Sequence, residues 1–438
     1  MIIKYGCQRI FRIRSSFPLL ISFVSISIFA ENREPDVWGL AFGVRSAEIP
    51  YTTDIDTVND VVPLIYYDNN EYFFIRGLTG GLRFYQNETL ETSFIGRYRF
   101  FDIPADFQNE VQGNAFDVGL QLKYKITPQF DVDFEVLDDR KGRAHANIVA
   151  NYQWSGGDWD LYPSMRLRWK DDDFNNRYYG LDLYEPGSGF DFKVGIDARY
   201  QVWSNFYLVG RAAVTSLEND VTTNPVITRD TQSELYFGIA LFNDKKKPRN
   251  ALLKTKPYLR LAHGWATPSN IGEILAGQTQ KDPFNNQLTS VFYGIPVSDT
   301  LLTLPIQIYV TPGLVYHYSS AVQENFPEYV LALKGYYTVR WPFRWRIGLA
   351  EGISYAAEIP YIEKTELEEK GFRPSNLLNY LDFSIDMNLG DIFRSEALQN
   401  LWVGYSIHHR SGIFQTSSAF GRIRGGSNYN TFYLQYHW

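Results

Sequence analysis

From about residue 36 onward the chain alternates apolar and polar residues, the period of a β-strand with one apolar and one polar face. Phe116, Val118, Leu120, Leu122, Tyr124 and Ile126 fall on one face, and Asp117, Gly119, Gln121, Lys123 and Lys125 on the other. After a turn at Thr127-Pro128-Gln129, Phe130, Val132, Phe134 and Val136 alternate with Asp131, Asp133 and Glu135, which predicts a hairpin. The pattern returns over Trp159–Lys170, with Asp160, Ser164, Arg166, Arg168 and Lys170 on the polar side, and again over Phe190–Val202. Soluble sandwich strands average about 5–6 residues, whereas these runs approach the roughly 9–11 that a tilted strand needs to cross a bilayer. Charges of both signs on the polar face suit a water-lined or self-paired interior, and Tyr and Trp near strand ends suit interfacial girdles. The fold class predicted is all-β, an antiparallel transmembrane β-barrel.

Counting such runs gives about 12 strands from Trp38 to Phe242 and about 8 from Tyr258 to Trp438, separated by the basic stretch Lys245-Lys246-Lys247-Pro248-Arg249 with Lys254 and Lys256. Even strand numbers are those of bacterial barrels, so the division predicts two tandem barrels, residues 31–244 and 257–438, joined by a solvated basic linker at 245–256. One barrel of about 20 strands is the alternative. In the second half, strands near 328–341 and 345–358 meet at a short turn, Pro342-Phe343. The longer connection at about 357–377 contains a charged stretch, Glu363 to Lys370, read as one exposed helix. Alternating short and long connections place the 411–428 loop outside and Trp438 in the periplasm.

Charge and composition narrow the function classes. A formal charge of −7 points away from nucleic acid, and no apolar run of about 20 residues follows residue 36 to suggest helical spans. Residues 1–30 carry Lys4, Arg9, Arg12 and Arg14 without an acid, then an apolar run from Phe17 to Phe29 and a small residue, Ala30. That layout predicts a secretory signal peptide, with an uncleaved anchor as the alternative. The single cysteine, Cys7, lies inside it, so the mature chain has no thiol for a disulfide or a thiolate metal site. At the other end Phe432, Leu434, Tyr436 and Trp438 alternate up to a terminal aromatic, which looks like the signal that outer-membrane barrels present to their assembly machinery. The expected location is therefore the outer membrane, with its lipids and lipopolysaccharide as surroundings.

Two resemblances bear on function. Trp38-Gly39-Leu40-Ala41-Phe42-Gly43-Val44, Pro63-Leu64-Ile65-Tyr66-Tyr67, Tyr72-Phe73-Phe74-Ile75-Arg76-Gly77-Leu78 and Arg177-Tyr178-Tyr179-Gly180-Leu181 resemble segments of the MipA/OmpV family of outer-membrane proteins, over about residues 36–244. That resemblance implies a barrel without a catalytic signature, and a scaffold that holds a peptidoglycan-cleaving transglycosylase and a peptidoglycan synthase as partners. The second half more distantly resembles the lipid A deacylases of the PagL type, which are eight-stranded barrels. The segment that carries it is His408-His409-Arg410-Ser411 on the penultimate strand. That family uses a His-x-Ser pair followed about a dozen residues later by a Glu; His409 and Ser411 match the pair, but Gly412 to Trp438 contains no Asp or Glu.

Serine is a weak nucleophile until a base takes its proton, and the base needs a third group to orient it. Leu401, Val403, Tyr405 and Ile407 define an outward apolar face, and the same parity puts His409 and Ser411 on the lipid side. The alternative is that the strand has already left the hydrocarbon there and both are solvated at the rim. By the same parity Glu351 interrupts the outward row Trp345, Ile347, Leu349, Ile353 and Tyr355, two strands from His409, unless a bulge turns it inward; Asn428 is a second candidate orienter. The predicted catalytic set is thus His409, Ser411 and Glu351, with Asn428 in reserve. Asp171-Asp172-Asp173 reads as a solvated acidic turn before a divalent-ion site, His145 as a lumen residue beside Asn147, Asn151 and Gln153, and Gly80-Gly81 and Gly425-Gly426 lack the strand-to-helix setting of a phosphate loop, so no cofactor is expected. With its carboxylate missing downstream, the hydrolase reading ranks below that of an envelope scaffold.

Overall fold

In the computed structural model, residues 37–438 are described apart from 54–55, 105–106, 108–110, 112–114, 140, 248–252, 372–373 and 413–424, so the expected signal peptide and most of the last long loop lie outside the described residues. The first strands are β1 (Val37–Glu48), β2 (Thr57–Asp68), β3 (Phe73–Gly77), β4 (Thr79–Gln86), β5 (Leu90–Arg99), β6 (Ala115–Thr127), β7 (Phe130–Asp138) and β8 (Ala144–Tyr152). A three-residue strand β9 (Trp154–Gly156) precedes β10 (Trp159–Lys170), β11 (Gly189–Trp203), β12 (Phe206–Ser216) and β13 (Thr231–Phe242). Consecutive strands pair antiparallel, β10 pairs with β8 and β11, and β13 returns to β1 with Gly39 opposite Phe242. The ring therefore closes on 12 strands, with β9 a side branch on β10.

Eight more strands form a second closed ring: β14 (Tyr258–Thr267), β15 (Gln287–Ser298), β16 (Ile306–His317), β17 (Phe326–Val339), β18 (Trp345–Ala356), β19 (Leu377–Asn388), β20 (Leu401–Ser411) and β21 (Gly426–His437). Here β14 pairs with β21, Tyr258 opposite His437. Because the strand at Trp38 pairs with the one at Phe242 and not with the C-terminal strand, the single 20-strand alternative is excluded.

Closure follows from the chemistry of hydrocarbon, where an unpaired backbone N–H or C=O has no water to meet it. Once the ring is closed, period two sorts the side chains. Phe116, Leu120, Phe190 and Phe192 point outward and are exposed, while Asp117, Gln121 and Asp191 point inward and are buried. The outer end of the first barrel is capped by its long connections. α1 (Asp172–Tyr178) and α2 (Asn219–Thr222) bring Phe174, Tyr178 and Val221 against Tyr51, Phe101 and Ile103, and Tyr51 donates from its hydroxyl to the Tyr178 carbonyl at 2.5 Å. Asp171 is the N-cap of α1: one carboxylate oxygen accepts from Phe174 N at 2.7 Å and the other from Ala144 N at 2.6 Å. The acidic triplet is thus a helix start rather than a free solvated turn. Gly180, in the Arg177–Leu181 segment, is required by close approach, since a Cβ there would lie 2.0 Å from the Tyr184 carbonyl oxygen. His145 lies fully buried in the lumen against Phe174.

The second barrel is filled by side chains. Tyr258, Tyr309 and Tyr336 pack together at the short-turn end. Beside them Arg346 pairs with Asp386 at 2.6 Å, and above them Asp382 accepts from Arg260 at 2.5 Å and from Lys334. Near the long-loop end Glu328 sits between His317 (2.7 Å) and His408 (3.1 Å). Trp438 stacks on Tyr436 and lies against Tyr293, forming an aromatic edge at the short-turn end.

Two expectations change. The helix expected over Glu363–Lys370 forms as α4 (Tyr361–Glu369), the longer helix that follows a five-residue α3 (Ile271–Leu275), but it is not wholly exposed. Positions four apart share a helix face, and Glu363 and Leu367 on that face are fully buried, Glu363 against Arg410 and Leu367 against Leu378. The outward apolar rows are also not all lipid-facing. Trp38, Ile65, Tyr67 and Ile75 of the first barrel pack against Val297, Ile308, Val310 and Leu333 of the second, and all eight are buried. Alternation reports which way a side chain points, not what it meets.

The buried centre of the second barrel yields a stability prediction. Asp382→Ala leaves Arg260 and Lys334 facing each other without their shared counter-ion, and the loss of one partner from a buried ionic cluster costs about 3–5 kcal/mol. Urea unfolding in lipid vesicles, followed by tryptophan fluorescence, is expected to shift to clearly lower denaturant for this variant.

Candidate active site on the outer wall of the second barrel

His408 and Arg410 point into the barrel and are buried at 1% and 0% exposure, so His409 and Ser411, alternating with them, point outward. Ser411 is the last residue of β20, which puts the pair at the long-loop rim of the wall, half-buried. His409 Nε2 lies 2.8 Å from Ser411 Oγ, and His409 Nδ1 lies 2.6 Å from Asn428 Oδ1 on the neighbouring strand β21.

The tautomer follows from the amide. Asn428 Nδ2 donates to the Ser269 carbonyl at 2.9 Å, and a carbonyl can only accept, so the amide oxygen is the atom turned toward His409. An oxygen acceptor at Nδ1 requires the imidazole proton there, which leaves the Nε2 lone pair facing Ser411 Oγ. This is the arrangement in which a neutral histidine can take the serine proton. An amide sets the tautomer as a carboxylate would, though it stabilises the imidazolium less.

Glu351 occupies the outward face as parity predicts, but it does not orient the histidine. Across the sheet the row runs Glu351, Leu381, His409, Asn428, so Leu381 separates the carboxyl from the imidazole by a full strand. The approach to Nδ1 comes from the other side, from Asn428. Glu351 instead approaches the side chain of Asn379, a fully buried outward residue directly opposite Ser411 in the strand register. Asn379 escaped sequence reasoning because it carries no charge and sits in an apolar stretch, Leu377–Leu381. Its outward parity on β19, the signal that marks Glu351 on β18, marks it too.

Behind the wall, the neighbours of these residues are fastened to the lumen. Arg410 donates to Glu363 of α4 at 3.1 Å and to Ser354 at 2.6 Å, and Ser427 donates to Glu363 at 3.2 Å. Burial pushes the Glu363 carboxyl above the usual range, while Arg410 opposes the shift. Arg410, between the outward pair, and Ser427, the residue before Asn428, are thus anchored by one helix. The basic segment after β13 is also partly tied down: Lys245 reaches Asp160 at 2.8 Å, and Lys246 lies 3.6 Å from Asp158. Among the described residues no cluster of three His, Cys, Asp or Glu residues could hold a metal ion.

Residues 39–241 match the family described as "MltA-interacting protein MipA". The first barrel belongs to that family. Its relatives include the MltA-interacting proteins of Escherichia coli (strain K12) and Shigella flexneri, each 23% identical over 222 residues, covering 46% of this chain and 88% of the relative. Among solved structures, similarity extends to outer-membrane barrels: OccK11 (OpdR) of Pseudomonas aeruginosa, 10% identical over 92% of this chain and 95% of that one with a TM-score of 0.24, and OprD of the same organism, 8% identical with a TM-score of 0.22. The MipA-type part of the chain is thus the first barrel, residues 39–241.

A test of the site itself needs no knowledge of substrate. Ser411 is expected to react covalently with a fluorophosphonate probe, Ser411→Ala to be silent, and Asn428→Ala to react about a hundredfold more slowly because the histidine loses its fixed tautomer. Asn428→Asp is expected to restore or exceed the native rate, and Glu351→Gln to leave it nearly unchanged. In-gel fluorescence against time, on protein whose mobility on unheated gels shows a folded barrel, measures all four.

Proposed function

We propose that the second barrel is a hydrolase of lipid acyl esters in the outer leaflet, with lipid A as its substrate. The observation that carries the reading is the continuous relay from Ser411 Oγ through His409 to Asn428, at 2.8 Å and 2.6 Å. In this reading Ser411 Oγ attacks the ester carbonyl carbon as His409 Nε2 takes its proton. Collapse of the tetrahedral intermediate breaks the ester C–O bond, and His409 returns the proton to the departing alcohol. Water, activated by the same histidine, then releases the fatty acid and restores Ser411. A serine on the outer wall meets such a substrate without drawing it out of the leaflet, which no lumenal serine could do. The resemblance of His409-x-Ser411 to the PagL-type pair supports the same chemistry, with Asn428, at a different position, in the orienting role that pattern gives to an acid.

Expression of the native chain and of Ser411→Ala in a lipid A-containing outer membrane tests the reading. Mass spectrometry of lipid A is expected to show the loss of one acyl chain with the native protein alone. Unchanged lipid A beside correctly inserted native protein would refute it.

The first barrel supports a second role. Its relatives are named for interaction with MltA, and we infer that this barrel likewise holds peptidoglycan-remodelling enzymes at its periplasmic end. Both β1 and β13 meet that end, where Gly39 lies opposite Phe242 and the chain continues into the tied-down basic segment. Cross-linking in envelopes followed by affinity capture is expected to recover a peptidoglycan hydrolase or synthase, and to lose it when residues 37–244 are exchanged for an unrelated twelve-stranded barrel. Capture of neither enzyme would remove this role and leave the hydrolase reading untouched.

A further inference from the structure

The geometry points to an oxyanion-binding site inside the first barrel, built on Arg166 and Arg168 of β10. Most inward cations of this barrel are matched. Arg45 has Asp60, Asp102 and Glu234, Arg97 has Glu135, Arg99 has Asp117, and Lys123 has Asp131 and Asp133, all within 3.3 Å. Arg166 and Arg168 differ: among the described residues neither has a carboxylate oxygen within 4.0 Å. Arg168 Nε donates to Asn147 Oδ1, a neutral acceptor, at 2.9 Å. Arg166 Nε is buried with no acceptor at all.

Their surroundings do not repair the deficit. Arg166 lies opposite Lys193 in the strand register, and Lys193 is 3.7 Å from Glu234, a carboxylate already engaged by Arg45 and near Arg211. Arg168 lies opposite Asp191, which turns toward Lys170 at 3.5 Å. Glu135, two strands away on β7 and in register with Asn147 and Arg168, is taken up by Arg97, Gln121 and Asn147. A guanidinium held away from bulk water without a directly paired carboxylate is costly, and two on one strand, about 7 Å apart along the backbone, repel each other as well. One oxyanion between them removes both penalties, since each planar fork can present paired N–H donors to phosphate or carboxylate oxygens.

The site is open to such a ligand from one side. The outer mouth is closed by Phe174, Tyr178 and the rest of the cap, whereas Arg166 keeps part of its surface exposed within the lumen. Below it Ser164 and Asn151, opposite each other on β10 and β8, line the way toward the short-turn end. The ligand is therefore an oxyanion that arrives from the periplasmic side, with phosphate and carboxylate as the two chemistries that fit.

Isothermal titration calorimetry of the full mature chain, folded in detergent, with inorganic phosphate in one arm and succinate in the other, tests the assignment. Saturable binding in either arm is expected, and the arm that binds more tightly names the chemistry. Arg166→Gln/Arg168→Gln is expected to weaken it at least about tenfold, and Arg166→Lys/Arg168→Lys, which keeps charge but not the fork, to fall between. The gel-mobility shift of a folded barrel qualifies each variant; should the Gln pair fail it, the Lys pair alone decides, by a loss of several-fold. No saturable binding of either anion to the native chain, or affinity unchanged in a folded variant, would overturn the site.

Discussion

The pairing of the last strand of each ring with its first, β13 with β1 and β21 with β14, is the constraint on which the rest of this structure depends. In hydrocarbon a sheet cannot keep an edge, because unpaired backbone groups there have no water to turn to. Closure makes one face of every strand a lumen and the other a surface toward lipid or protein. The same alternation that puts Arg260, Asp382 and Lys334 into one buried cluster puts His409 and Ser411 on the outside.

The two lumens handle their charges differently. In the second barrel, eight strands leave a narrow interior, and large side chains fill it, with aromatic rings at one end and ionic clusters above them. These clusters brace the wall from within: Arg410, between the outward pair, is held by Ser354 and by Glu363 of α4. A side-chain pair on a strand is placed more accurately than one on a loop, provided the strand cannot shift, and the inward residues supply that rigidity. In the first barrel, twelve strands enclose a wider polar space whose cations and anions do not all meet.

Contact between the barrels gives the outer surfaces a further meaning. Trp38, Ile65 and Tyr67 are as apolar as any lipid-facing row, yet they are covered by Val297, Ile308 and Leu333 of the neighbouring barrel. Lipid tails are as apolar as these side chains, so such a seam is held by close packing rather than by escape from water. Asn379, outward and fully buried beside Glu351, shows that the covered wall is not purely apolar.

What the sequence determined by itself is what alternation and composition carry: the β-barrel class, the strand numbers of both halves, the break near residue 245, and the outward parity of Glu351, His409 and Ser411. Each of these is local, since period two is read within a single strand. Which strands close on which, and which residue reaches a histidine from the next strand, depend on register. Register is set by pairing across the sheet, so only the tertiary structure could place Asn428 rather than Glu351 at His409 Nδ1, with Leu381 between them. Burial was likewise beyond local pattern. Glu363 belongs to a stretch that reads as a solvated helix, and it is the barrel mouth supplying Arg410 and Ser427 that draws one face of that helix inside.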